Sequence, residues 1–286
     1  MNASTAPHNP AAGSRSFFAA ARHVIGSCYT HRELLFALMR REIVARYRGS
    51  ALGLFWSLIT PIVLLATYTL VFSFFFHMKW SPEDSGHGYF IVMLFCGLIP
   101  FNFFSEVISR SPMLIVSSPN YVKRVAFPVQ LLPAVATGAA LFHALIGMAI
   151  LLIMRWAVLG SLPVQTFYLP LIWIPLVIFT LAVSLIISAA GVFIRDLGHA
   201  VGLILNILFF LSAVIYPAAT IPGTWRPFIL WPNPVACAIL QIRETCVETK
   251  PLNFVLFAVL MGGSCALLFL AAGWFRSVSR RFADVL

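Results

Sequence analysis

The stretch YRGSALGLFWSLITPIVLLATYTLVFSFFF, residues 47–76, decides the fold class of this chain. It begins at the end of a basic segment, passes Gly49-Ser50 and continues over residues 51–76 without an ionisable side chain. A helix needs only about 20 apolar residues to cross the hydrocarbon core of a bilayer. The stretch therefore predicts a membrane span, with Ser50 as its N-cap and a kink at Pro61.

The composition extends this conclusion to the whole chain. Of its 286 residues, 60% are hydrophobic and only 10% are charged, which is far more apolar than a soluble domain. The net charge of +10 fits links that meet anionic lipid headgroups, and we expect no nucleic-acid partner. The five cysteines form no CxxC pair. Only Cys237 and Cys246 could share an external loop and form a disulfide there. We expect free thiols instead, because cysteine in an apolar segment is usually a small hydrophobic residue.

Apolar runs along the chain predict an all-α membrane protein with six transmembrane helices. The runs cover about residues 51–76, 88–109, 128–154, 169–193, 200–216 and 253–275, within a transmembrane domain over 49–275. Residues 1–30 are predicted to be a mobile cytosolic tail, and residues 276–286 a second cytosolic tail.

Shorter helices are predicted outside the spans. Residues 31–48, HRELLFALMRREIVARYR, have the pattern of an amphipathic helix on the membrane surface. The pair Ser118-Pro119 is typical of an N-cap and a first helical residue, so a short helix is expected over about 119–125. Residues 217–252 contain six prolines and are too polar to span. We expect two short re-entrant helices there, near 223–230 and at 234–248, capped in the second case by Asn233.

The division of basic residues predicts the orientation. Six spans place both termini on one side, and fourteen of the nineteen Lys and Arg residues lie on that side. Basic residues are enriched on cytoplasmic links of membrane proteins. Both termini are therefore expected in the cytosol, and the proline-rich segment 217–252 on the outer side.

Two ionisable residues lie close to or within the predicted spans. Glu106 precedes Arg110 by four residues, which favours an ion pair on one helix face, although a substrate or gating contact is also open. His143 is a lone histidine among apolar neighbours, and we interpret it as a core residue with its hydrogen bonds satisfied. The sequence has no HExxH, GxSxG or metal-ligand spacing, so neither a catalytic nor a metal site is predicted.

Five stretches carry a more specific signal. They are LMRREIVARYRGSALGLFWSLITPIV (38–63), SPNYVKRVAFPVQLLP (118–133), VFIRDLGHAVG (192–202), VIYPAATIP (214–222) and WPNP (231–234). In this order, and with the predicted surface helix and outer helices, the chain resembles the membrane subunit of ABC exporters for polysaccharides over about residues 31–280. The stretch RYRGSALGLFWSLI is more similar to the O-antigen and teichoic acid branch of that family than to its capsule branch.

The resemblance implies a homodimer of this chain in a bacterial inner membrane, joined by two copies of a separate ABC ATPase. The sequence contains no GxxxxGK[ST] phosphate loop and no Gly-Lys pair, which agrees with this division of labour. ATP and Mg²⁺ are then bound by the partner ATPase. The chain itself is expected to be neither an enzyme nor a cofactor protein, and its substrate a lipid-linked polysaccharide.

The resemblance also implies roles for particular residues on the cytosolic side. The helix at 119–125 corresponds to a coupling helix that docks on the ATPase, with the turn before the fifth span as a second contact; these residues are Pro119, Asn120, Tyr121, Lys123, Arg124, Arg195 and Asp196. The arginines of the surface helix, Arg40, Arg41, Arg46 and Arg48, have three interpretations. They contact the ATPase, capture the pyrophosphate of a lipid-linked substrate, or meet anionic headgroups. Arg48, nearest the span, is the preferred pyrophosphate ligand.

Aromatic residues on the first and fifth spans are candidates for a polysaccharide channel. Sugar rings present C–H faces that stack on aromatic rings, and a sliding polymer needs many weak contacts. The candidates are Tyr68, Phe72, Phe75, Phe209, Phe210 and Tyr216, while packing and lipid contact explain most other aromatic residues. Two other functions stay open: a permease for a drug or a simple lipid, and a membrane-embedded transferase acting on lipid-linked sugars.

Overall fold

The computed structural model describes residues 21–22, 24, 26–50, 52–77, 80, 87–122 and 127–285. This part of the chain is helical and contains no β-strand, as the all-α prediction requires. The α-helices are α1 (Arg32–Tyr47), α2 (Trp56–Tyr68), α3 (His87–Arg110), α4 (Pro119–Val122), α5 (Leu131–Leu159), α6 (Leu169–Gly191), α7 (Leu197–Leu211), α8 (Arg226–Leu230), α9 (Pro234–Cys246), α10 (Phe254–Ser279) and α11 (Phe282–Val285). A π-helical segment, Thr69–Phe75, continues α2, and the turns Gly53–Phe55, Ser111–Met113, Val164–Tyr168 and Ala218–Thr220 are 3₁₀-helical.

Five helical stretches of the described chain are long and apolar enough to cross a membrane. They are Trp56–Phe75, Gly88–Met113, Leu131–Leu159, Val164–Gly191 and Phe254–Ser279. The predicted fifth span falls on α7, which has 15 residues. At 1.5 Å per residue such a helix is about 22 Å long, shorter than the hydrocarbon core of about 30 Å. The count of six spans therefore stays a prediction.

The chain leaves the helical path after α7 and turns into the protein. Ser212, Ala213 and Val214 have no exposed surface, and Ala213 adopts a φ of 50°. Buried backbone outside a helix requires hydrogen-bond partners for its polar groups. The guanidinium of Arg243 in α9 supplies them, since Nη1 donates to the Ala213 carbonyl at 2.7 Å and Nη2 to the Val214 carbonyl at 2.6 Å.

Helix α3 is the centre of the bundle. It packs against α5, α6, α7 and α9, and 78% of its most apolar window is buried. The most apolar windows of the first span and of α10 are each only 17% buried, and both helices lie at the periphery. Helix α10 packs chiefly against α6. The first span therefore presents most of its surface to its surroundings.

Close backbone contact joins α6 to the turn that follows α3. A Cβ atom on Gly191 would come within 2.2 Å of the Pro112 carbonyl oxygen, so only glycine allows this approach. The hydroxyls of Ser111 and Ser184 are hydrogen-bonded at 2.8 Å in the same place. This junction fixes the start of the segment that leads to α4.

The proline-rich segment forms two short helices, α8 and α9. Asn233 caps α9 as predicted, because its Oδ1 accepts hydrogen bonds from the amides of Val235 and Ala236 at 3.1 and 3.2 Å. Its Nδ2 donates to Ser212 Oγ at 2.8 Å and so joins α9 to the end of α7. Helix α9 packs against α3 and α6 and is buried along most of its length.

One detail of the chain differs from the sequence predictions. The prediction that Ser50 caps the first span is wrong, because a 3₁₀ turn intervenes and α2 begins at Trp56 without a side-chain cap. Within the predicted tail, residues 26–30 are helical, and Ala21 and Val24 pack against Ala272 of α10, while the mobility of the tail stays a prediction. These small apolar side chains fit closely against a helix. The cysteines are free thiols, as expected.

Candidate functional site

Four charged residues tie α1 to α3. Arg46 Nη1 lies 2.5 Å from Glu106 Oε1, and Arg110 pairs with Glu42. On each helix the acid precedes the arginine by four residues, so the two antiparallel helices present complementary charges. We call Glu42, Arg46, Glu106 and Arg110 the charge quartet. The predicted Glu106–Arg110 pair is wrong, because each of these residues has an oppositely charged partner on α1.

Tyr47 extends this junction to α5. Its hydroxyl lies 3.2 Å from Nδ1 of His143, and the two rings meet edge to face with centroids 5.7 Å apart. Partial burial raises the pKa of Tyr47, which keeps the phenol a neutral hydrogen-bonding group. The interpretation of His143 as a histidine with its hydrogen bonding satisfied agrees with this contact.

A glycine lets α1 approach α5 closely. The side chain of Met39 lies over Gly138, where a Cβ atom would come within 2.3 Å of the methionine methyl carbon. Because α1 also holds α3 through the charge quartet, it bridges two helices of the bundle. Its position at a membrane surface stays a prediction.

Helices α1 and α4 form one surface. The Arg41 guanidinium lies over the Tyr121 ring, 5.7 Å from its centroid, and Tyr121 also packs against Phe127 at 4.4 Å between centroids. Of the predicted coupling residues, Pro119 and Tyr121 are half-buried and Asn120 is exposed. Lys123 and Arg124 lie outside the described residues. We call α1 and α4 together the cytosolic surface, after the side of the membrane on which the sequence predicts them.

The other predicted cytosolic residues are exposed. Arg40 on α1 and Arg48 directly after α1 are exposed, as are Arg195 and Asp196 in the turn before α7. Arg46 differs from them because Glu106 already balances its charge. Of the four predicted arginines, Arg46 is thus paired with a carboxylate. The described contacts of Arg40, Arg41 and Arg48 include no carboxylate.

The predicted channel residues come together in part. The Tyr68 ring stacks on Phe72 at 6.1 Å and meets Phe209 of α7 at 6.3 Å, which joins the first span to α7. Phe209 also contacts Phe101 of α3, with centroids 5.1 Å apart. Phe75 and Phe210 are largely exposed, and Tyr216 donates to the Phe210 carbonyl at 2.5 Å. The aromatic cluster of Tyr68, Phe72 and Phe209 is thus flanked by two exposed rings.

Two cavities lie beneath α1. The larger, of about 480 Å³, is bounded by the end of α1 and by α2, α3 and α5. The smaller, of about 320 Å³, surrounds the charge quartet and shares Arg46, Glu106 and His143 with the larger. In the part of the chain that the structure describes, no group of His, Cys, Asp or Glu side chains could hold a metal ion.

Sequence reasoning missed three residues of this architecture. Glu42 and Tyr47 anchor α1, and Arg243 holds the turn after α7. A signal for the first existed in the two acid-to-arginine spacings of four, at 42–46 and 106–110. No pattern in the sequence indicates that Arg243 is buried.

Comparison with known proteins assigns the chain to a family. The description "ABC-2 type transporter" matches residues 33–246, from the start of α1 to the end of α9. The chain is 29% identical over 263 residues to the O-antigen export system permease protein RfbA of Myxococcus xanthus, covering 91% of this chain and 98% of that protein. It is 26% identical over 256 residues to the protein of the same name in Klebsiella pneumoniae, covering 89% and 95%.

A third relative carries a different name. The chain is 28% identical over 212 residues to the polysialic acid transport protein KpsM of Escherichia coli, covering 73% of this chain and 79% of that protein. The family match extends over well more than half of the chain, and it includes both the cytosolic surface and the charge quartet. The chain belongs to the ABC-2 type transporter family.

Proposed function

We propose that this chain is the permease subunit of an ATP-driven ABC exporter for lipid-linked polysaccharide of the O-antigen type. Two copies act with two copies of an ABC ATPase, which binds ATP and Mg²⁺, and both termini face the cytosol of a bacterial inner membrane. The names of the relatives, two O-antigen export permeases and a polysialic acid transporter, support the class of substrate.

The observation that carries this proposal is the continuity of the cytosolic surface with the centre of the bundle. Tyr121 of α4 contacts Arg41 of α1, and α1 in turn holds α3 through the charge quartet. A displacement of α4 by a partner is therefore passed to α1 and then to α3, the most buried helix. A transport subunit without its own ATPase needs such a connection.

The aromatic cluster gives the polymer a path in this proposal. Tyr68, Phe72 and Phe209 join α2 to α7, and the exposed rings of Phe75 and Phe210 flank them. A channel between two copies would be built largely from these two helices, and exposed rings then face the sugars. Helices α8 and α9 act as the gate or lateral exit on the outer side.

The arginines of α1 divide between two tasks in this proposal. Arg48 is exposed at the end of α1 and is the preferred ligand for the substrate pyrophosphate. Arg46 is bound to Glu106 and therefore serves the junction with α3. Glu106, the carboxylate that the transferase alternative would require, is paired with Arg46.

The experiment is a reconstitution of the chain with its ABC ATPase in proteoliposomes. ATP hydrolysis is measured alone, with lipid-linked O-antigen and with a small amphiphilic drug. We expect the polysaccharide to change turnover, and the double change Lys123→Glu with Arg124→Glu to abolish that response. The matched control is Arg280→Glu with Arg281→Glu, which reverses two basic residues that follow α10 and are not part of α4. A response to the drug alone would instead support the drug or simple-lipid permease.

A further inference from the structure

The larger cavity beneath α1 is polar at one end and apolar at the other. Arg46, Tyr47 and Glu106 line the end below α1, whereas Leu64, Phe95 and Gly147 line the opposite end. Along α3 the cavity extends from Glu106 to Phe95, eleven residues, which is about 16 Å at 1.5 Å per residue. This depth equals about half of a hydrocarbon core of about 30 Å, the depth of one leaflet.

The cavity is open at its surface and lies at membrane depth. Trp56, Thr60 and Leu64 of α2 line it and are exposed, and its other walls are α3 and α5, two helices of spanning length. Apolar walls at this depth face lipid chains rather than water. Within one copy of the chain, only 17% of the most apolar window of the first span is buried, and three exposed residues of this span line the cavity. A lipid chain in the cavity would add dispersion contacts to them.

The polar end carries both signs of charge in equal number. The charge quartet has two guanidinium groups and two carboxylates, and it surrounds the smaller cavity that adjoins the larger one. A headgroup with a net negative charge would meet Glu42 and Glu106 as well as the arginines. A headgroup with one phosphate and one ammonium group can instead place each charge beside its opposite.

We propose that these joined cavities bind one zwitterionic aminophospholipid from the leaflet beneath α1. Its phosphate lies toward Arg46 and Tyr47, and its ammonium group lies toward Glu106. One acyl chain follows the wall formed by Leu64, Phe95 and Gly147. The lipid thereby joins the first span to α1, α3 and α5, and this binding does not depend on which substrate the transporter moves.

The experiment uses the full chain with its ABC ATPase in nanodiscs. A phosphatidylethanolamine with a photoactivatable diazirine at the end of one acyl chain is compared with a phosphatidylglycerol of identical chains and with a photoactivatable polyprenyl pyrophosphate. Crosslinked peptides are mapped by mass spectrometry. We expect phosphatidylethanolamine to label residues 60–64 and 95–99 and unlabelled phosphatidylethanolamine to displace it. Preferential labelling of these residues by either of the two other lipids would overturn the proposal.

A matched pair of substitutions on α2 tests the location. Thr60→Trp places an indole in the cavity, whereas Thr67→Trp places the same side chain two turns further along, outside both cavities. We expect the first change to reduce crosslinking about tenfold and the second to leave it unchanged. Equal labelling of both variants, or of neither, would contradict a defined site.

A charge substitution tests the headgroup. Glu106→Gln removes one carboxylate and makes the remaining three charges net positive. We expect labelling by phosphatidylglycerol to rise relative to phosphatidylethanolamine in this variant, while Glu248→Gln, which lies in the exposed loop after α9, leaves the ratio unchanged. An unchanged labelling ratio in Glu106→Gln would show that the charge quartet does not distinguish the two lipid headgroups.

Discussion

The two ends of the molecule use arginine in different ways. Below α1, Arg46 and Arg110 pair with carboxylates, and their side chains remain 43% and 41% exposed. Around α9, Arg155 and Arg243 are each 3% exposed, and the described chain places no carboxylate within ion-pairing distance of them. These two instead donate to main-chain carbonyls of other segments.

The difference separates a fixed end from an adjustable one. A buried guanidinium carries a high desolvation cost unless all its donors are used, so its contacts are made completely or not at all. Exposed ion pairs contribute little and can break and form again. A fixed anchor around α9 and an adjustable junction beneath α1 would suit the proposed transporter, in which a partner ATPase acts on the cytosolic surface. The predictions below test this comparison, beginning with the largest effect.

Replacing Arg243 should have the largest effect. Arg243→Met leaves the carbonyls of Met93, Ala213 and Val214 without their donor and removes the contact with the Trp80 ring, whose centroid lies 4.3 Å away. We expect a loss of about 3–5 kcal/mol in stability, measured by thermal unfolding in detergent.

The control for this change is Arg226→Met. Arg226 also donates to two main-chain carbonyls, those of Ala219 and Ile221, but it is exposed. We expect a loss of less than about 1 kcal/mol. If the two variants unfold at the same temperature, the burial of Arg243 does not make its hydrogen bonds more stabilising than those of the exposed Arg226.

Gly97 tests the same anchor by crowding it. A Cβ atom there would lie 2.6 Å from Nη2 of Arg243 and 2.7 Å from the Val214 carbonyl oxygen, and the carbonyl cannot move without disturbing the turn. Gly97→Ala should therefore cost about 1–3 kcal/mol in the same unfolding measurement. Gly263→Ala on α10, where a Cβ meets nothing within 4 Å, should be neutral or slightly stabilising. Equal effects of both changes would argue against close packing at Gly97.

The charge quartet should show weak coupling. A double-mutant cycle of Arg46→Met and Glu106→Gln should give a coupling energy of less than about 1 kcal/mol, because Arg46 is largely exposed. The coupling should decrease as salt is raised, since screening weakens exposed pairs. A coupling of several kcal/mol that is independent of salt would mean that this end is as rigid as the one around α9.

The contact between α1 and α4 should have the smallest effect on stability. Tyr121→Ala removes a cation–π contact with Arg41, which is worth about 0.5–1 kcal/mol, and a ring contact with Phe127. Tyr29→Ala removes a similar cation–π contact with Arg32, 5.4 Å from the ring centroid, that does not join α1 to α4. We expect Tyr121→Ala to unfold at a temperature only slightly below that of Tyr29→Ala, but only Tyr121→Ala to weaken substrate-stimulated ATP hydrolysis in the reconstituted complex. A loss of stimulation in both would place the effect elsewhere.

The sequence was sufficient for features that depend on local chemistry. Asn233 followed by Pro234 caps α9, because capping needs only neighbouring residues, and α4 begins at Pro119 as the Ser118-Pro119 pair predicts. Long apolar runs likewise identify five helices of spanning length. These features follow from hydrogen bonding and hydrophobicity within one short segment.

Features that depend on contacts between distant segments could not be predicted. Glu106 and Arg110 have the spacing of a pair on one helix, but Glu42 and Arg46 are their partners once α1 packs against α5. The span predicted over about 128–154 excludes Arg155, yet α5 extends to Leu159 and the Arg155 guanidinium is buried against the Cys246 carbonyl at 2.8 Å. Local rules give no indication of which helix approaches another.

The π-helical segment Thr69–Phe75 has a consequence for the register of the first span. In a π-helix each amide bonds five residues back rather than four, so the turn is wider and the same number of residues covers less length. Rewinding this segment as an α-helix would lengthen the span and rotate Phe75 relative to Tyr68, which precedes the segment. The C-terminal end of the first span thus holds spare length, available to turn its aromatic face while α2 stays in place.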